Sequence, residues 1–167
     1  MKNKTLISFA PPLEVQVQFS NELSLDELYL LKPILRKANL RRWASWARDP
    51  LAPNLEEITL RVVGLAEGRR INREFRGKNY ATNILTFNYS AVTNLQSDLV
   101  MCAPVVINES EKLRISLKEH CAHLIVHSTL HAQGYEHEVL ESDALIMETL
   151  ESFLMLSLGF NDPYGDE

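Results

Sequence analysis

The chain has 167 residues, of which 46% are hydrophobic and 23% are charged. This length suffices for one domain with a buried core, and no apolar run approaches the roughly 18 residues of a membrane span. The apolar stretch near the N-terminus ends at Pro11 and Pro12 and is too short for a signal peptide. We therefore expect a single domain over residues 1–167, in the cytoplasm and without membrane contact.

The charges are unevenly distributed along the chain. The 22 acidic residues outnumber the 17 basic ones, and the net charge of −5 argues at first against a nucleic-acid partner. However, all basic residues except Lys112, Arg114 and Lys118 precede position 79. Such asymmetry can produce one basic face on an acidic protein, although ordinary solvated helix faces remain the alternative.

The first half of the chain predicts strands and short helices in turn. Alternating polar and apolar residues predict strands over 14–19, 57–63 and 83–89. A helix start is predicted at Ser24, where an acidic first turn follows. Further helices are predicted from Pro33 to about residue 48 and over residues 64–75.

The second half predicts one more strand and two long helices. The strand covers residues 98–102, and a helical turn or two follows Pro104. The helix over about 112–133 is apolar around most of its circumference, which indicates a central buried helix, and Gly134 suits a left-handed cap. In the last helix, over about 142–158, the residues expected to face inward are Leu145, Met147, Leu150, Phe153, Leu154 and Leu158. Because strands and helices neither alternate strictly nor repeat, we predict an α+β fold with about four strands in a small mixed sheet and about five helices.

Four of the five histidines fall on one stripe of the predicted central helix, at positions 120, 123, 127 and 131. His127 and His131 are four residues apart, so both rings can reach one cation, and the turn at Gly134 lets His137 approach as a third ligand. Three imidazoles leave a fourth tetrahedral position for water, as in catalytic zinc sites. A polar seam against carboxylates is the alternative. The all-imidazole set favours zinc over iron, while nickel and copper remain open.

The residue after the first of these histidines argues against peptidase chemistry. In HExxH metalloproteases this residue is the glutamate that acts as general base. Here it is Ser128, which cannot deprotonate water in that role.

The histidine segment over residues 127–137, HSTLHAQGYEH, resembles the signature HGxLHLxGYDH of the YbeY family of bacterial zinc-dependent endoribonucleases. Residues 75–87 (FRGKNYATNILTF), 98–102 (DLVMC) and 158–164 (LGFNDPY) are similar to further blocks of that family. The resemblance is strongest over about residues 56–164. The departures from the family pattern are Ala81 for proline, Ser128 for glycine, Ala132 for leucine and Glu136 for aspartate, and none removes a predicted ligand.

The resemblance implies cleavage of single-stranded RNA in ribosome assembly and quality control, at the 3′ end of the small-subunit (16S) ribosomal RNA. A zinc ion on His127, His131 and His137 would polarise a phosphate oxygen or lower the pKa of a bound water. The ribosome or small-subunit proteins are possible partners. The sequence leaves open the cleavage site, the general base, the oligomeric state and the need for a partner.

Other residues have candidate roles in the same mechanism, Arg76 because it occupies the family's arginine position and the rest because of their place in the chain and their charge. Arg76 would stabilise the charge of the transition state, unless it forms a structural ion pair. His123 would shuttle a proton, orient the site or merely pack, and Glu136 would orient a metal-bound histidine. The residues expected to follow the phosphate backbone are Arg69, Arg70, Arg73 and Lys78.

Two other functions compete with this interpretation. One is a ribosome-assembly factor without catalytic activity, in which zinc mainly stabilises the fold. The other is a zinc hydrolase that acts on peptides or small molecules.

Overall fold

A computed structural model of the protein describes residues 11–49, 55–90, 95–135 and 140–165. These residues form four strands, namely β1 (Glu14–Phe19), β2 (Leu55–Val63), β3 (Ile84–Ser90) and β4 (Leu95–Cys102). They also form six helices, namely α1 (Leu25–Leu31), α2 (Lys37–Ala47), α3 (Leu65–Arg76), α4 (Ala103–Leu113), α5 (Leu117–Ala132) and α6 (Glu141–Ser157). The predicted α+β class is therefore confirmed.

The four strands make one mixed sheet in the order β1-β2-β4-β3. The β1–β2 and β2–β4 pairs are parallel, whereas β3 runs antiparallel to β4. The β3 strand consequently lies at one edge of the sheet, with Phe87 opposite Asp98 of β4.

Alternating residues of the strands build a core on each face of the sheet. On one face Ile58, Leu60 and Leu99 belong to the main cluster, which also includes residues of α2, α5 and α6. On the other face Val100 and Cys102 belong to a smaller cluster beneath α3. The α3 helix comes close to β4 at Gly68, since a Cβ atom there would lie only 3.1 Å from the Cys102 sulfur.

The predicted helix over residues 112–133 is wrong at its start, because two helices meet there. The α4 helix is longer than the predicted turn or two, and it ends at Arg114, whose φ of 55° is left-handed. The α5 helix then begins after Ser116, whose hydroxyl accepts a hydrogen bond from the Glu119 amide. A left-handed residue and an N-cap stop one helix and start the next, which an apolar pattern alone does not reveal.

Two of the residues expected to face inward from the last helix are exposed. Leu145 is 65% exposed and Phe153 is 63% exposed. The buried residues of α6 are Met147, Glu151, Leu154 and Met155. They define one face by helical spacing, and Leu145 and Phe153 lie off that face.

In the described residues no helix is long and apolar enough to cross a membrane. That residues 1–167 form a single domain stays a prediction.

Candidate active site

The α5 helix brings the four histidines to one large cavity. It packs against α2, α4, α6 and β3, and ten of its sixteen residues are buried. His120, His123, His127 and His131 line a cavity of about 1140 Å³. Residues 161–165 at the C-terminal end and Arg76 at the end of α3 also line it.

His127 is held by a buried carboxylate from α6. Its Nδ1 lies 2.6 Å from Oε1 of Glu151, whose side chain is only 1% exposed. Burial alone raises the pKa of Glu151, but the contacts with His123 and His127 and the Tyr164 hydroxyl lower this pKa to about 2. The carboxylate is therefore ionised near neutral pH and accepts a hydrogen bond from Nδ1–H, which leaves Nε2 as the ring nitrogen that can bind a metal.

His131 is oriented in the same way by a backbone carbonyl. Its Nδ1 lies 2.8 Å from the carbonyl oxygen of Tyr135. Because a carbonyl only accepts, Nδ1 carries the proton here as well. The turn that brings this carbonyl back passes through Gly134 at φ +96°, so the predicted left-handed glycine is confirmed.

His123 points toward the same carboxylate as His127. Its Nε2 lies 3.3 Å from Oε1 of Glu151, but this buried nitrogen makes no hydrogen bond of acceptable geometry. The His123 ring packs edge-to-face against Tyr164, with the ring centroids 5.8 Å apart. Tyr164 in turn donates its hydroxyl to the second oxygen of Glu151 at 2.7 Å.

His120 belongs to a separate network at the other end of the stripe. Its Nε2 lies 2.7 Å from Oε2 of Glu109. Asn83, just before β3, donates its side-chain amide to the same carboxylate at 3.2 Å. Three histidines of the stripe thus divide between two carboxylates, Glu109 and Glu151, whereas His131 contacts the Tyr135 carbonyl.

The remaining predicted residues of the metal site, Glu136 and His137, lie outside the described residues. Over residues 11–49, 55–90, 95–135 and 140–165, no group of three His, Cys, Asp or Glu side chains is arranged to hold a metal ion. The donor chemistry of the described pair nevertheless fits a metal. Metal-binding histidines almost always donate their other ring N–H to a carboxylate or a carbonyl, as His127 and His131 both do.

The predicted basic residues occupy α3 and the turn after it. Arg76 ends the helix and lines the cavity, whereas Arg69, Arg70, Arg73 and Lys78 are exposed outside the described cavity wall. Arg69 donates to the side chain of Asn79 at 3.0 Å. Of the predicted groups, the structure therefore brings Arg76 and three of the histidines (His123, His127 and His131) to one cavity.

Sequence reasoning missed Glu151 and Tyr164. The signal available for Glu151 is its spacing, because it lies four residues after Met147 and four before Met155 on the apolar face of α6. A carboxylate on such a face needs a partner inside the protein. The partner, however, is 24 residues away in the chain, and only the packing of α5 against α6 identifies it.

Comparison with known proteins places the chain in a family. A family model described as endoribonuclease YbeY matches residues 34–159. Endoribonuclease YbeY of Acidovorax ebreus is 54% identical over 87% of this chain and 97% of its own length. The proteins of that name from Polaromonas naphthalenivorans and Methylobacillus flagellatus are 50% and 43% identical, over 86% and 94% of this chain and 97% of each relative.

A solution structure of a Thermotoga maritima protein is also similar, with a TM-score of 0.47 and 16% identity over 91% of this chain and 99% of that one.

The class of protein is endoribonuclease, since each of these relatives carries that name and is matched over almost its whole length. The chain belongs to the YbeY endoribonuclease family. The predicted resemblance is confirmed, and the match begins at residue 34, upstream of the sequence motifs that resemble the family.

Proposed function

We propose that this protein is a zinc-dependent endoribonuclease of the cytoplasm, selective for single-stranded RNA, that matures the 3′ end of the small-subunit ribosomal RNA and acts in ribosome quality control. As a member of its family the protein is an endoribonuclease. The observation that supports a metal is the paired orientation of His127 and His131, whose Nδ1 atoms both face oxygen acceptors. Two imidazoles oriented in this way beside a large cavity suit a catalytic metal.

In this proposal His127, His131 and His137 hold the zinc ion, and Glu136 supports the third of them. When bound, zinc supplies Lewis acidity toward a phosphate oxygen and lowers the pKa of water. Glu151 accepts the hydrogen bond of Nδ1–H of His127 and so orients that ring with Nε2 as the ligand atom.

Arg76 and His123 have different roles in the same cavity. Arg76 contacts the substrate, whereas His123 contacts other side chains of the protein. The Arg76 guanidinium binds the scissile phosphate and stabilises the charge of the transition state. Because Nε2 of His123 points toward Glu151, orientation of the site suits this histidine better than proton shuttling. The exposed Arg69, Arg70, Arg73 and Lys78 attract the phosphate backbone.

The test compares the wild type with His131→Ala, both prepared identically and assayed for metal, on a labelled single-stranded RNA that carries the small-subunit 3′ end. We expect the wild type to contain about one zinc per chain and to cleave the RNA. We expect no cleavage by His131→Ala. The same RNA annealed into a duplex is the control for strand selectivity.

The other outcomes decide between the competing functions. Equal cleavage by both proteins would indicate a contaminating nuclease. A wild type that binds zinc but does not cut, alone or with small subunits, would favour a non-catalytic assembly factor. Cleavage of peptides instead of RNA would favour the non-RNA hydrolase.

A further inference from the structure

An aromatic pair lies where α3 ends over β3, with one ring exposed and the other partly buried against the smaller core cluster. The rings of Phe75 and Phe87 meet edge-to-face with their centroids 5.2 Å apart. Although it contacts Phe87, Phe75 remains 63% exposed. The Phe75 ring is therefore supported on one side by Phe87 and open to solvent on the other.

The position of the pair relates it directly to the candidate active site. Arg76 follows Phe75 in the chain, and Thr86 precedes Phe87. Both Arg76 and Thr86 line the cavity. Phe75 therefore lies next to the cavity wall at Arg76, and Phe87, whose side chain points to the opposite face of β3 from Thr86, packs against Phe75.

The charges around the pair favour an anionic partner. Five of the seven charged residues between positions 65 and 78 are basic. Arg69, Arg73 and Arg76 recur at helical spacing and share one stripe of α3 that ends at the cavity. The nearby carboxylates are Glu74 and Asp98, and the charge of Asp98 already acts on Tyr89, whose pKa it raises.

We infer that Phe75, supported by Phe87, forms a stacking platform for unpaired bases of single-stranded RNA beside the cavity. This inference rests on the proposed function. Arginines that follow the phosphates and aromatic rings that stack on bases are the usual combination in single-strand binding. A duplex keeps its bases stacked on one another, so the platform selects single strands without reading sequence.

The test measures the affinity of the metal-loaded protein for a fluorescent, uncleavable 2′-O-methyl single strand of mixed sequence. Phe75→Leu keeps an apolar side chain but removes the aromatic face. We expect this variant to bind at least about five-fold more weakly, the lower limit of one base–aromatic stack. Phe75→Trp restores the affinity or increases it.

Phe153→Leu is the matched control. Phe153 is also 63% exposed, but it lies on α6, which carries four acidic residues and no lysine or arginine. We expect this variant to bind like the wild type. The thermal midpoints of all variants are recorded so that a folding defect is recognised.

Two further measurements separate stacking from charge. Phe75→Leu leaves the salt dependence of binding unchanged, whereas Arg73→Gln reduces the slope of log K against log salt by about 0.7. On an abasic ribose-phosphate strand Phe75→Leu binds as well as the wild type.

The inference is overturned if Phe75→Leu binds the mixed strand as tightly as the wild type, or if Phe75→Leu and Phe153→Leu weaken binding equally. The first result would assign the aromatic pair to a protein contact. If the wild type itself binds no single-stranded RNA, the proposed function falls together with the platform. Wild-type binding and cleavage combined with an unaffected Phe75→Leu would reject only the platform.

Discussion

At the scale of single residues, the site depends on a carboxylate that the sequence does not connect to it. Glu151 accepts from His127 at 2.6 Å and from the Tyr164 hydroxyl at 2.7 Å. Removal of such a partner typically costs 10–100-fold in metal affinity, because the ring loses its orientation and part of its basicity.

We therefore predict that Glu151→Gln weakens zinc binding by about 10- to 100-fold. The measurement is competition with a chromophoric chelator, which does not depend on activity. Glu148→Gln is the control, since Glu148 is exposed on the same helix. Equal zinc affinity of Glu151→Gln and the wild type would contradict an orienting role for Glu151.

Ser128 is the departure from the family pattern that lies within the described site. It is 1% exposed, and its Oγ has no hydrogen-bond partner among the described residues. A buried hydroxyl without a partner costs about 1–3 kcal/mol.

We predict that Ser128→Ala raises the free energy of unfolding by about 0.5–2 kcal/mol, since alanine also forms helix better than serine. Ser110→Ala is the matched control, because Ser110 is 4% exposed but donates to the Ile107 carbonyl at 2.8 Å. We expect urea unfolding to show a smaller gain for the control. A loss of stability in Ser128→Ala would mean that its hydroxyl is satisfied in solution.

At the scale of elements, the junction between α4 and α5 sets where the histidine stripe begins. Arg114 is the only non-glycine residue with positive φ in the described chain. For a side chain with a Cβ this conformation costs about 1–2 kcal/mol, which glycine avoids.

We accordingly predict that Arg114→Gly stabilises the protein by about 1 kcal/mol, measured by urea unfolding. Arg114→Ala removes the same side chain but keeps the Cβ, so this control gains nothing from relief of strain. Equal stability of the two variants would show that the junction is not strained.

Most elements were predictable from local patterns. The four predicted strands are confirmed with shifts of up to three residues at their ends, since alternation persists along each strand. The helices were less well predicted where tertiary packing decides exposure. Leu145 and Phe153 are apolar and helical, but α6 is covered on one face only.

At the scale of the whole molecule, the side chain of Glu67 connects α3 to β2 and to the residue that follows β1. Glu67 of α3 accepts from Ser20, just after β1, at 2.6 Å and from Arg61 of β2 at 2.8 Å. Burial raises the pKa of Glu67, but the hydrogen bonds from Ser20 and Arg61 and the charges of Arg61 and Arg70 outweigh it, so this pKa lies below its ordinary value of 4.5.

We predict that this contact makes the fold sensitive to acid. Because the pKa is lower in the folded than in the unfolded state, the ionised Glu67 stabilises the protein above pH 4.5. The stabilisation is lost as the pH falls through the folded-state pKa. Urea unfolding at a series of pH values should therefore show a smaller acid-induced loss for Glu67→Gln than for the wild type. Glu74→Gln, an exposed change on the same helix, should retain the full loss, and an identical profile for both variants would contradict the prediction.

The sequence by itself determined the fold class, the family and the histidine pair on the central helix, because these follow from periodicity and spacing within short segments. Only the tertiary structure decided which groups surround those histidines. Arg76 of α3 and Tyr164 of the C-terminal segment line the cavity, and the buried Glu151 of α6 contacts His127 and Tyr164. Contacts between elements so distant in the chain depend on how helices and sheet pack, and no local pattern encodes that packing.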